Sequence, residues 1–165
     1  MDVARGAVTA SDGLLLVDKD LGITSHDVVS RVRRLAATRK VGHAGTLDPM
    51  ATGLLTVGVG KATRLLNYLV GADKTYEATI RLGVGTDTED AHGQVTQVVA
   101  PGQVDLGRLQ AAAAQLTGPI SQVPSNFSAI KVNGVRAYDL ARSGQEVELE
   151  ARQVTIHSFD LGQVN

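Results

Sequence analysis

The chain has 165 residues, 43% hydrophobic and 20% charged, which is enough apolar material for a packed domain and argues against disorder. Sixteen basic side chains against 17 acidic ones leave a net charge of −1, which argues against a general nucleic-acid coat, and the absence of cysteine excludes a disulfide framework and a cysteine-based zinc site. The opening MDVARGAVTASDG holds no continuous apolar run of the kind a signal peptide needs, and no stretch approaches the roughly 18 apolar residues of a membrane span. The expectation is a soluble, cytoplasmic protein with an N-terminal tail, 1–12, ahead of a folded part, 13–165.

Gly13–Asp18, GLLLVD, is a short apolar run that predicts a buried strand. Thr24 or Ser25 can cap a following helix whose apolar positions are Val28, Val29, Val32 and Leu35, with Arg31, Arg33 and Arg34 on the opposite face. Five basic residues and no acid lie between Arg31 and Lys40, so a local basic face survives the neutral total. Leu54–Val59 predicts a strand, and Lys61–Val70 a helix with Leu65, Leu66 and Leu69 turned inward. Thr75–Leu82, TYEATIRL, alternates with a period of two and predicts a half-buried strand. Gly83–Gly93 reads as a polar loop and Gln94–Val99 as the returning strand.

Leu106–Leu116, with four consecutive alanines, is the strongest helix by propensity. Asn133-Gly134, after Phe127–Val132, suggests a hairpin turn. Ala137–Arg142 reads as a short helix ended by Gly144, and Val147–Phe159 as one or two strands. Strands often follow strands, so the pattern fits an α+β fold, a mixed and largely antiparallel sheet with flanking helices.

Three stretches are dense enough in special residues to be candidate sites. GVGKAT, Gly58–Thr63, resembles the end of a phosphate-binding loop, but Ala62 and Leu55 stand where that motif needs Ser/Thr and Gly, so no nucleotide cofactor is expected. GTDTEDAHG, Gly85–Gly93, offers Asp87, Glu89, Asp90 and His92 as oxygen and nitrogen ligands, but Ala91 breaks the calcium-loop pattern and a solvated acidic turn is the plainer reading. VGHAGTLDPMATGLL, Val41–Leu55, places Asp48 before Pro49, which keeps it off a helix face. Asp-Pro is an ordinary turn former. A carboxylate held away from water among Leu47, Met50 and Leu54 could instead act as a nucleophile or general base. A two-carboxylate glycosidase has no second acid here, and a serine hydrolase has no G-x-S-x-G. Tyr76, one of five aromatics, is either a cross-strand residue or a flat surface for a base.

GHAGTLDPMATGLL resembles the signature loop of bacterial tRNA pseudouridine synthases of the TruB type, which isomerise the T-loop uridine at position 55. GLLLVDKDLGITSHDVV is similar to that family's N-terminal motif, with Asp20 where proline is usual. KTYEATIRLGVGTDTEDAHG and SNFSAIKVNGVRAYDLARSG match two further family segments, in register from about Gly13 to Gly144. The resemblance implies the pseudouridine synthase fold, Asp48 as catalytic aspartate, Tyr76 stacked on the target base, His43 reaching into the T loop and Asp90 close to the site. Lys19 would support the loop's architecture. The implied partner is tRNA through its T-stem-loop, with no membrane, metal or cofactor, and Arg31, Arg33, Arg34, Lys61 and Arg64 would contact phosphates.

Family members run longer than this chain. They carry a later Gly-Thr-Tyr-[Ile/Val]-Arg strand, whose arginine pairs with the aspartate, and usually a small C-terminal RNA-binding domain. Neither is found here, so the expectation is an N-terminal portion of the catalytic domain, with the activity of these residues alone in question. A non-catalytic RNA-binding or RNA-folding module is the first alternative, and a metal-dependent hydrolase using Asp87, Asp90 and His92 the second.

Overall fold

A computed structural model describes residues 9–126, 128, 130–132, 134–137, 140, 143 and 149–164. It divides into two compact units, Met1–Glu77 and Ala78–Asn165. The class is α+β, and the strand pairs are antiparallel throughout the described residues, divided among small sheets of three, two, two and two strands.

In the first unit, strands β1 (Gly13–Lys19), β2 (Val41–Ala44) and β3 (Gly53–Val59) form a sheet in the order β1-β3-β2. Helix α1 (Ser25–Leu35) begins at Thr24, whose hydroxyl accepts from the Asp27 amide while the Asp27 carboxylate accepts from the Thr24 amide. This capping box satisfies amides that the first helical turn leaves unpaired. Val28, Val29, Val32 and Ala36 then fall on one face and pack with Val41, Leu55, Val57 and Val59 of the sheet. Burying each such valine or leucine side chain stabilises the unit by about 2 kcal/mol, so packing between these two layers dominates its stability.

Several expectations shift here. The apolar β1 is not buried: Leu14, Leu15 and Leu16 are all exposed. An apolar run shows that a strand can be covered on both faces, but α1 covers only one: Leu14 and Leu16 lie on the other, and Leu15, opposite Val57 on the covered face, is still 44% exposed on this edge strand. Leu35 is 87% exposed, and Ala36 takes the buried place at the end of the helix face instead. The segment expected to be one helix from Lys61 is a 3₁₀ turn, Gly60–Arg64, followed by the single-turn α2 (Leu66–Leu69). Bonds from the amide of Leu65 to Ala62 and of Tyr68 to Leu65 hold the three-residue spacing, and neither piece has a side-chain cap. Leu66 is buried, Leu69 half-buried and Leu65 exposed. A Cβ on Gly58 would lie 3.1 Å from the backbone of Ala62 and Thr63, so the missing side chain lets the 3₁₀ turn sit against β3.

Thr75–Leu82 does not form a strand; among the described residues no strand pairs with it, and Tyr76, Ile80 and Leu82 are exposed. Two-residue alternation states what a strand would bury, but a neighbouring strand must supply the hydrogen bonds.

In the second unit, β4 (Val84–Thr86) pairs with β5 (Val95–Val98), with an irregularity between Gly85 and Thr86. Helix α3 (Leu106–Gln115) is capped by Asp105, whose carboxylate accepts from the Gly107 and Arg108 amides. Of its alanines only Ala113 is buried, so propensity more than packing makes this helix. Strand β6 (Gly118–Gln122) pairs with β9 (Arg152–Ile156), which lies inside the strand-like tail. Strands β7 (Lys131–Val132) and β8 (Val135–Arg136) form the expected hairpin, with Gly134 at φ +86° in its two-residue connection. Ala137 and Leu149 are buried here, with Ile130 and Leu140 against them. Most of the expected helix Ala137–Arg142, its ending Gly144, and the start of the tail at Val147 lie outside the described residues.

Candidate active-site turn

The segment between β2 and β3 holds Asp48. The Ala51 amide donates to the Asp48 carbonyl at 3.0 Å, closing a tight turn over 48–51. Neighbouring peptide groups are tied to the β1–α1 connection. The Gly22 amide donates to the Pro49 carbonyl at 2.7 Å, and Lys19 Nζ reaches that same oxygen at 3.5 Å. Lys19 is almost fully buried and also donates to the carbonyls of Asp20 (3.0 Å) and Ile23 (2.8 Å), so the ammonium's three hydrogens meet three acceptors. Asp20 contributes one of them through its backbone. On the other side, Ser25 Oγ donates to the Leu47 carbonyl at 3.1 Å and accepts from the Leu47 amide at 3.0 Å.

The Asp48 side chain itself is exposed, which corrects the expectation of a carboxylate withdrawn among apolar neighbours. Leu54, expected to cover it, is 66% exposed. The arrangement is a solvent-facing carboxylate on a backbone fixed from both sides.

His43 lies on β2 opposite Val57, five residues before Asp48. Its Nδ1 bonds to the Gly45 carbonyl. A carbonyl only accepts, so Nδ1 carries the hydrogen, and in the neutral ring Nε2 is left as an acceptor. Tyr76 is 72% exposed at the end of the first unit, its ring available as a flat surface.

Asp90 belongs to the second unit, in the loop between β4 and β5. Its Oδ1 accepts from the Thr88 hydroxyl at 2.7 Å and from the His92 and Gly93 amides at 2.8 and 3.1 Å. The Thr88 hydrogen bond, then those two amides and the nearby His92, hold its pKa below the usual carboxylate value. Asp87 likewise spends Oδ1 on the Gln94 amide at 2.7 Å. These carboxylates fasten their own loop. Among the described residues no group of three or more His, Asp or Glu side chains is placed to hold a metal ion, and no helix is long and apolar enough to cross a membrane.

The basic face is narrower than the sequence suggests. Arg31 and Arg34 are exposed and, with Leu35, line a shallow open depression. Arg33 instead folds inward: its Nη2 donates to the Val41 carbonyl at 3.2 Å, and its Nε is buried. Lys61 and Arg64 are exposed on the 3₁₀ turn, where the Lys61 amide is held by Asp12 at 2.8 Å.

Ser25 enters the sequence reading only as an alternative helix cap, and its place at the turn is a finding of the structure. The signal in the sequence is the Thr24-Ser25 pair itself, since one helix start uses one cap and leaves the second hydroxyl to find another partner.

Residues 33–165 match the N-terminal domain of the TruB family pseudouridylate synthases. Over 149 residues, 90% of the chain, it is 64% identical to tRNA pseudouridine synthase B of Arthrobacter sp. (strain FB24), covering 49% of that protein. Over the same share it is 60% identical to tRNA pseudouridine synthase B of Thermobifida fusca (strain YX), covering 51% of it, and 56% identical to that of Mycobacterium tuberculosis (strain ATCC 25618 / H37Rv), covering 50%. The chain spans about half the length of the curated relatives it matches. With a family match over most of its residues, the chain belongs to the TruB family of pseudouridylate synthases.

Proposed function

We propose that the chain supplies the catalytic part of an isomerase that converts uridine to pseudouridine in tRNA, acting on the T-loop uridine 55 with Asp48 as the catalytic carboxylate. The observation that carries this reading is the Asp48 turn: an exposed carboxylate whose flanking peptide groups are bonded to Lys19, Gly22 and Ser25. A surface acid with no task needs no such fixing, whereas a reacting group must be held near its productive geometry. The names of the relatives, tRNA pseudouridine synthase B, support the substrate class.

The reaction breaks the bond between uracil N1 and ribose C1′, turns the base, and forms a bond from C5 to C1′. The C5 proton leaves and N1 gains one. It is redox-neutral, so the balance requires neither a cofactor nor a nucleotide. Ionised Asp48 assists either by attacking C1′ or C6, or by taking a ribose proton to give a glycal. The base must first leave its stack, at a cost of a few kcal/mol. Tyr76 offers the ring on which it stacks and His43 a hydrogen-bonding edge. Arg31, Arg34, Lys61 and Arg64 hold phosphates without reading sequence. Arg33, engaged with Val41, is left out of that set.

The test is release of tritium from a T-stem-loop RNA carrying [5-³H]uridine, using the full-length gene product with no added metal or nucleotide. Release of one equivalent supports the isomerase. RNA binding without release would favour the binding module, and release abolished by a chelator the metal-dependent reading.

A further inference from the structure

Two adjacent hydroxyls open α1, and they do different things. Thr24 caps the helix: Asp27 Oδ2 accepts from its amide at 2.9 Å and its hydroxyl at 2.6 Å, and the Asp27 amide donates back to Oγ1 at 3.0 Å. Ser25 is thereby released from capping and is buried, 4% exposed. Its hydroxyl reaches 22 residues along the chain and bonds both polar groups of Leu47, donating to the carbonyl and accepting from the amide. One side chain acts there as the partner strand would in an antiparallel pair. Leu47 is the residue before Asp48, and the residue after it, Pro49, is held through its carbonyl by the Gly22 amide.

We propose that Ser25 is a positioning residue for the isomerisation: its reciprocal hydrogen bonds with Leu47 fix the backbone from which the Asp48 carboxylate projects. It touches neither substrate nor reacting atoms and acts through Leu47. The inference rests on Asp48 being the catalytic carboxylate. Removing the hydroxyl leaves the Leu47 amide and carbonyl without their partner, and they recover partners by moving the turn or by letting water in. A displacement of about 1 Å costs on the order of 100-fold in rate. The RNA-binding surface is untouched.

The experiment compares single-turnover tritium release by the full-length protein with Ser25→Ala, Ser25→Cys, Val29→Ala and Asp48→Asn, each checked for folding by circular dichroism. Cysteine replaces the hydroxyl by a somewhat larger thiol, which is only a weak hydrogen-bonding group. Val29→Ala removes core packing from the same helix and leaves the Ser25–Leu47 pair intact. The expected result is a roughly 10- to 100-fold loss of the maximal rate in both Ser25 variants, with the RNA concentration at half-maximal rate within about twofold of the parent. Val29→Ala is expected to keep the parental rate while it is folded. Parental rates in Ser25→Ala and Ser25→Cys overturn the proposal. So does an equal loss of rate in Val29→Ala, because the effect is then one of general stability. Full activity of Asp48→Asn is a separate failure, of the catalytic assignment and not of the Ser25–Leu47 pairing.

Discussion

Lys19 Nζ donates to the carbonyl of Ile23 at 2.8 Å from a position only 1% exposed, and this hydrogen bond joins the end of β1 to the start of α1. A buried ammonium is tolerated when its hydrogens are all taken, and here backbone carbonyls of Asp20, Ile23 and Pro49 take them. Lys19→Met preserves the apolar stem and deletes the donors, so it should lower stability by about 2–3 kcal/mol. Urea denaturation checks this: the midpoint should fall with the slope unchanged.

Ala37 sits just past α1 with φ +49°, and the Thr38 amide closes back on the Arg33 carbonyl at 3.2 Å. This is a left-handed helix ending built without the usual glycine. Ala37→Gly should therefore stabilise the protein by about 0.5–1 kcal/mol, against the rule that glycine weakens a fold. Thermal unfolding should show a raised midpoint; a lowered one would contradict the strain at this position.

Two carboxylates give the stability a defined acid limb. The Thr24 hydroxyl and amide lower the pKa of Asp27, and the Thr88 hydroxyl with the His92 and Gly93 amides lowers that of Asp90. In each case the unfolded chain binds a proton more readily, so the contribution is present above the ordinary aspartate pKa of about 3.9 and is lost as pH falls through the folded value. Stability should therefore fall below about pH 4, and Asp27→Asn or Asp90→Asn should flatten that fall without altering the slope between about pH 6 and 8. Unfolding midpoints across the range provide the comparison.

The three arginines of α1 should separate into two behaviours. Arg31→Ala and Arg34→Ala should weaken RNA binding uniformly across sequences and reduce the salt slope by about one for each phosphate left without its cation. Arg33→Ala should leave the slope alone and lower the unfolding midpoint, because it removes the bond to the Val41 carbonyl. Filter binding at several salt concentrations distinguishes them.

Legibility from sequence followed how local the cause was. Thr24 and Asp27 sit three residues apart, and Val28, Val29 and Val32 repeat with the helix, so α1 could be read directly. The Asn133-Gly134 hairpin is equally local. Thr75–Leu82 alternates as a strand does, yet whether a neighbour pairs with it depends on chain elsewhere. The arginines look alike in one dimension, and only the path of β2 turns Arg33 inward. Asp48 stands out through its motif, while its exposure depends on where the turn faces and not on its sequence neighbours. The hydrogen bonds between Ser25 and Leu47 span 22 residues, and no periodicity encodes them.

The catalytic assignment of Asp48 is tested most directly by Asp48→Asn in the full-length protein, assayed for tritium release from T-stem-loop RNA alongside RNA binding. The substitution keeps the turn and the size of the side chain while removing the carboxylate. Binding should stay within about twofold of the parent while the rate falls by at least about 1,000-fold, the scale expected when a reacting group is removed. A variant that still forms pseudouridine at the parental rate would contradict the assignment.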